Sequence, residues 1–445
     1  MKYLAILKDS LREALDSKVF YVAIGLSCLL IVLVACISFE PLPAQEALPY
    51  IASRISSTPV ARDRDRDIFE RMTTGPAHFE ISDLHALTEA VEPQKADYRF
   101  HLRIREFGPG DLKRAVYFWN SRSGDPNVAP GSIPQVSDSL LEEFVKDRFT
   151  RVGNLQIAKV ERVAPGSEGN AAQYFYTVET KGTRSIRAWL HDPQLLFGKI
   201  PLTFMRTTLG QAVFAIEALI VNGIGAWVGI LLGVVITAMF IPNMLRKGTI
   251  DLLLVKPIHR GTLLIYKYIG GLTFMFLNTL VAVGGIWLVI GLRSGIWSYE
   301  FLLSILVITF FFAVLYSVST FAAVATRSPI VAILVTCFVW FGLYLVGSSY
   351  TGLENARKQE ELQKSIPSWV FSTVDKLHYV LPRTKDLDLL MTRLLSQANL
   401  TDTEIRSVRS QLPESITWGE SLTVCGAFIA VMLGLSCVRF ARQDY

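Results

Sequence analysis

Few residues in this chain could do chemistry. The six histidines are scattered, and the nearest approach to a ligand set is His78, Glu80, Asp83 and His85. Their spacing fits no compact metal-ligand pattern, so a solvated surface is the expected setting and no metal site is assigned. The sequence contains no G-x-x-x-x-G-K-[ST] loop, HExxH, CxxC or GxSxG, which removes the usual devices for nucleotide, zinc and acyl chemistry. No enzymatic role and no bound cofactor are therefore expected of this chain. The remaining polar residues of interest, Asn222 and Asn278, lie in apolar runs. An amide in hydrocarbon seeks a partner on another helix, and a substrate contact is the second reading of each. Glu217 is expected at the outer interface of its run. Acids and bases are otherwise nearly absent from the apolar segments, which argues against an ion-coupled transporter.

A second chemistry is recognition. The stretch RKGTIDLLLVKPIHRGTLLIYKYIGG (246–271) combines five Lys/Arg, one acid and a Leu triplet between two long apolar runs. Thr249 is placed to cap a short helix through Asp251, Leu252, Leu253 and Leu254, which Pro257 stops, because the residue before proline avoids helix. Gly248 and Gly261 let the backbone turn on either side. The expectation is a helix parallel to the membrane that presents Arg246, Lys247, Asp251, the leucines and Arg260 to a partner. A basic anchor on anionic lipid accounts for the Lys and Arg but not for the triplet and the turns.

These residues need a membrane scaffold to position them. Hydrophobic residues make up 51% of the 445, too many for a soluble chain of this size. Runs long enough to cross about 30 Å of hydrocarbon as helices occur near 19–38, 218–240, 268–291, 301–325, 329–348 and 421–438. The fold class expected is an α-helical polytopic membrane protein with six transmembrane helices and an inserted α+β or β-rich extracytoplasmic domain. Six spans place both termini on one side. Lys2, Lys8, Arg12 and Lys18, the five bases of 246–271, Arg327, Arg439 and Arg442 make that side the cytoplasm, against Arg293 alone in the short outside loop. The net charge of +5 calls for no nucleic acid. All five cysteines fall in predicted spans, leaving no disulfide framework outside. LVAC at 33–36 looks like a lipoprotein cleavage box, but Asp9, Glu13 and Asp16 precede a run too long for a signal peptide.

Around the spans, residues 1–18 read as a cytoplasmic amphipathic helix, with Leu4, Leu7, Leu11 and Leu15 on one face. Residues 39–210 read as a separate domain: prolines cluster at 41, 43, 49 and 59, and ADYRFHLRIREFG, RAVYFWNSR, NLQIAKVERV and AQYFYTVETKGTRSIRAWL alternate as strands, while SDSLLEEFVKDRF reads as a helix. Its acids and bases nearly balance, so no charged partner is advertised. Residues 349–418 read as a helical extracytoplasmic loop in which NARKQEELQK and DLDLLMTRLLSQ are surface helices, and Asn399-Leu400-Thr401 is a formal glycosylation sequon. Residues 419–445 supply the last span and a cytoplasmic tail.

With these elements in order, LRKGTIDLLLVKPIHRGTLLIYKYIGG resembles the G-T-[LI]-[DE]-L-L-L-x-x-P-[IV]-x-R signature of the type-2 ATP-binding-cassette (ABC) exporter permeases, followed by a lysine and paired glycines. The matching positions are Gly248, Thr249, Ile250, Asp251, Leu252, Leu253, Leu254, Pro257, Ile258, Arg260, Lys267, Gly270 and Gly271. Many members carry Glu shortly before the Gly-Thr pair, where this chain has Arg246 and Lys247. The resemblance implies that 246–260 is a coupling helix seated in a separate cytoplasmic ATPase subunit, which holds the ATP and Mg, and that 1–18 is an elbow helix. It also implies a dimer with a second copy or a paralogue, in a bacterial inner membrane. The function so implied is the permease subunit of an exporter. The alternative is a non-transporting ABC assembly that relays ATPase motion to a periplasmic partner, and a third reading, a membrane receptor without an ATPase, conflicts with the signature.

Overall fold

Strict alternation in YRFHLRIRE sends Tyr98, Phe100, Leu102 and Ile104 to one face and Arg99, His101 and Arg105 to the other, which is what a half-buried strand requires. In the computed structural model, which describes residues 18–58, 77–120, 134–163, 173–182, 185–201, 206–244, 259–357, 360–413 and 415–442, this strand is central to one of two units. That unit comprises Phe39–Gln211 with Thr401–Thr403. Its elements are β1 (Ser38–Pro41), α2 (Ala44–Ser57), β2 (Ala77–Ala86), β3 (Tyr98–Glu106), α3 (Asp111–Asn120), α4 (Asp138–Arg151), β4 (Gln156–Val163), β5 (Gln173–Lys181), β6 (Leu190–Leu195), β7 (Ile200–Pro201) and β8 (Thr207–Thr208), following α1 (Lys18–Ala35) of the other unit.

The larger sheet runs β2-β3-β5-β4, antiparallel throughout, with Phe100 opposite Val178 and Leu102 opposite Tyr176. Leu48, Ile51 and Ile55 of α2 and Leu141, Phe144, Val145 and Phe149 of α4 cover its apolar face. Ser137 caps α4, accepting a hydrogen bond from the Leu140 amide. The Arg148 guanidinium is buried in this core and donates to the carbonyls of Ile55 and Thr58 at 3.1 and 2.5 Å. The Ile55 carbonyl also accepts from the Thr58 amide at 3.4 Å, so the guanidinium's own contribution to the end of α2 is the Thr58 carbonyl. Burial lowers the pKa of Arg148 to about 10, with Asp147 opposing. In the smaller sheet, β6 pairs with β7 and β8.

One reading of this region changes, and two elements are unexpected. RAVYFWNSR is not a strand: residues 114–120 lie in α3, where Leu112, Ala115 and Val116 are buried at helical spacing and Trp119 Nε1 donates to Asp147 Oδ2 at 2.9 Å. The proline-rich opening holds α2, with Pro43 at its N-cap and Pro49 inside it. AHFEISDLHA forms the fourth strand, its alternation broken by a bulge between Ser82 and His85 where Asp83 takes a positive φ of 49°.

The second unit comprises Met1–Ser38, Ala212–Leu400 and Glu404–Tyr445. It is mostly helical. Five helices among the described residues are long and apolar enough to cross a membrane: α5 (Leu209–Met244), α6 (Arg260–Ser294), α7 (Tyr299–Thr326), α8 (Pro329–Arg357) and, after α9 (Glu360–Ser365), α10 (Ser368–Val380), α11 (Thr384–Asn399) and α12 (Asp402–Gln411), α13 (Trp418–Arg442). The described apolar part of α1, Phe20–Ala35, is shorter than these five. α7 is the innermost span, 67% buried against 22% for α8 and 17% for α13. Apolar side chains such as Tyr21, Leu29 and Leu33 on α1 and Phe338 on α8 stand exposed, a surface suited to lipid rather than water. α6 and α7 meet closely at Gly271, where an added Cβ would lie 2.5 Å from the Tyr316 ring.

α11 corrects the reading of DLDLLMTRLLSQ as a surface helix. Asp386, Leu387, Asp388, Leu390, Met391, Leu395, Ser396, Ala398 and Asn399 are all buried, because α11 packs against α7, α8, α13 and the middle of α5. Burial on several faces is incompatible with a solvated helix.

Candidate functional site

Of the residues picked out for docking, Arg246, Lys247, Gly248, Thr249, Asp251, Leu252, Leu253, Leu254 and Pro257 lie outside the described residues, as do 1–17 of the amphipathic segment. What the structure describes is the base on which 245–258 stands. Met244 closes α5 and Arg260 opens α6 behind His259. Ile241 and Met244 share one apolar cluster with Leu263, Leu264, Ala322, Ala323, Val324, Ala332 and Phe440. Both ends of the segment are thus fixed by the packed ends of five helices.

The two intramembrane amides each bond across helices. Ser27 Oγ on α1 donates to Asn278 Oδ1 on α6 at 3.2 Å, and Asn222 Nδ2 on α5 donates to Thr392 Oγ1 on α11 at 2.7 Å. Asn222 Oδ1 is buried without a partner among the described residues. Asn222 sits in a π-helical stretch of α5, Leu219–Gly229, whose wider turn moves Trp227 off the ordinary helical register. π-turns of this kind recur at functional positions.

α11 gathers further polar groups, of which Asp386 and Asp388 are the ones that reading the sequence missed. Glu217 is buried within the protein: its carboxylate oxygens lie 2.5 Å from Ser298 Oγ and 2.5 Å from Asn399 Nδ2. The sequon amide is therefore inside the protein, donating also to the Leu395 carbonyl, and is no glycosylation acceptor in the folded state. Asp386 accepts from Ser421 Oγ through one oxygen at 3.4 Å and meets His378 Nε2 through the other at 3.1 Å. This order, with the acid in the middle, activates no nucleophile, because the histidine must touch the serine to take its proton. Among the described residues no group of three or more His, Cys, Asp or Glu is placed to hold a metal ion.

Next to this network a small pocket is lined by Trp227, Phe311, Trp340, Tyr344, Lys385 and Asp388. Trp340 and Tyr344 are four residues apart on α8 and so share a face. Trp227 meets both rings edge-on, with centroids 4.5 and 4.6 Å away and interplanar angles of 79° and 75°. The Lys385 ammonium lies 5.8 Å from the Tyr344 ring centre. α8 and α11 approach closely enough here that a Cβ on Gly347 would lie 2.5 Å from Lys385 Cβ. Asp388 is 8% exposed, and its carboxylate has Lys385 Nζ at 3.8 Å as its ion-pair partner among the described residues.

An apolar bundle of five candidate spans among the described residues, with hydrogen bonds between its helices, defines a multi-pass membrane protein. The chain belongs to the family described as ABC-2 family transporter protein, whose profile it matches over residues 4–445. It is accordingly a membrane permease of an ABC transporter, and not itself the ATPase. No protein of curated function matches the chain.

Proposed function

We propose that the chain is the membrane-spanning subunit of an ATP-driven exporter. It works as a dimer with a second copy or a paralogue, in a bacterial inner membrane with both termini in the cytoplasm and α1 completing six spans. A separate ATPase, carrying ATP and Mg, docks on residues 246–260. Closure of the ATPase pair displaces the docking segments, and the spans shift between two packings. The observation that carries this reading is the family match over residues 4–445, which includes the Gly-Thr-x-Asp-Leu-Leu-Leu signature. The shared apolar cluster at both ends of 245–258 supports it, since a docking lever needs a rigid base.

Affinity purification of the tagged protein from mild detergent tests the docking. An ATPase subunit is expected to accompany the wild-type chain and to be lost from Leu253→Asp and Asp251→Lys, with membrane insertion unchanged. Equal recovery of the ATPase by both variants overturns the assignment of 246–260. The mechanical-relay alternative draws on one observation, the independent core of the Phe39–Gln211 unit. Net substrate movement in sealed vesicles separates it from export.

A further inference from the structure

The contacts of α10 (Ser368–Val380) fix the direction in which it runs within the membrane unit. Arg357, the last residue of α8, donates to Asp375 Oδ2 at 2.6 Å and lies over the Phe371 ring. Further back along α8, the Tyr350 ring stacks on His378 with centroids 3.7 Å apart, and Gly347 lies against Lys385, just past the turn into α11. Helix α10 is therefore antiparallel to α8, running from its polar end back towards its apolar run, 329–348. A second span gives the same level. Arg383 pairs with Glu420 at 3.0 Å and Ser421 donates to Asp386, in the first turn of α13, where the apolar run 421–438 begins. The C-terminal end of α10 thus stands where two spans leave the hydrocarbon layer. At that end Tyr379 and Val380 are both 73% exposed, and Leu377 is exposed beside them. Three such side chains together are foreign to a water-facing helix end. The next exposed apolar side chains on α8, Leu345, Phe341 and Phe338, carry on from this level into its apolar run. Lys376, exposed one turn before Val380 on the same face, sets a cation just outside the apolar groups, the order of a helix held at a membrane–water interface.

We propose that the C-terminal end of α10 is a lipid anchor: Leu377 and Val380 reach the acyl chains, Tyr379 lies among the head groups, and Lys376 meets a phosphate. Trp369, exposed at the other end of the helix, stands about 15 Å further out at the rise of an α-helix. The head-group layer is only about 5–7 Å deep on each side, so Trp369 is in water. The anchor goes beyond the docking and export readings and stands whether or not an ATPase is bound.

The test is photo-cross-linking of the full chain in its membrane, with p-benzoylphenylalanine replacing one aromatic residue at a time. Phe338→p-benzoylphenylalanine, exposed on the apolar run of α8, sets the yield of a lipid-facing position. A phospholipid adduct, read by mass spectrometry of the purified chain, is expected from Tyr379→p-benzoylphenylalanine in a yield comparable to that at Phe338. From Trp369→p-benzoylphenylalanine the adduct should be lost. All three replacements keep an aromatic ring at an exposed position, and an unchanged melting temperature in detergent shows that each variant is folded. Absence of a lipid adduct at Tyr379 overturns the anchor. So does an adduct at Tyr379 that joins two protein chains, because the surface is then covered by a second copy or another protein. Equal lipid adducts at Tyr379 and Trp369 overturn it as well, since the whole helix would then lie on lipid and its end would have no distinct role.

Discussion

Asp388 carries its own pH signature. Its carboxyl is pushed up to about 7, first by burial, with Lys385 opposing and Asp386 reinforcing. In the unfolded chain the same group ionises near 3.9. Between roughly pH 4 and 7 the folded protein therefore keeps a proton that the unfolded chain has released, and stability falls as pH rises through that window. Above about 7 both forms are ionised and the penalty is constant, on the order of 2–4 kcal/mol. Thermal unfolding of the detergent-solubilised chain at pH 5 and pH 8 should show a drop in wild type that is smaller in Asp388→Asn; equal drops in the two would refute the assignment. At this scale the sequence was partly legible. Asn222 and Asn278 stand out as amides in apolar runs. Asp386 and Asp388 do not, because DLDLLMTRLLSQ has the acid and base content of a solvated helix, and only the neighbours supplied by α7, α8 and α13 make it a buried one.

Among the elements, close approach gives the sharpest expectation. Gly271→Ala puts a methyl group against Tyr316 and should destabilise the α6–α7 packing by roughly 1–3 kcal/mol. Gly342→Ala on α8 meets nothing within 4 Å and should leave the melting temperature unchanged or slightly raised, as helix propensity favours alanine. Both are read by thermal unfolding in detergent. In the other unit, Arg148→Met removes the donor that closes α2 and strands the Thr58 carbonyl in the core. A loss of roughly 2–4 kcal/mol is expected in chemical denaturation. Strands β3, β4 and β5 and helix α4 could be read from alternation and capping, since a single covered face imposes those patterns. Helix α3 could not, because VYFW is β-prone in composition and only its packing on α4 makes it helical. Strand β2 was hidden by its bulge, and α2 by Pro43, which a helix tolerates at its start, and by Pro49, which lies inside it and reads as a breaker.

For the molecule as a whole, the core of the Phe39–Gln211 unit is built from its own helices and sheet. Residues 39–211 expressed alone should therefore fold, with a cooperative unfolding transition by circular dichroism; a non-cooperative profile would show that the core needs the rest of the chain. The shift out of long apolar runs marks residues 39–210 off in the sequence, but the order of the strands and the place of α2 over the sheet could not be read there. The shared cluster at Met244 and Leu263–Leu264 has a further consequence. Bringing the ends of a flexible chain together costs entropy that grows with the logarithm of its length, and here the membrane helices have met that cost for residues 245–258 before any partner arrives. A free peptide of the same sequence would bear it on binding, so it should compete poorly with the intact protein even though every contact it could offer is identical.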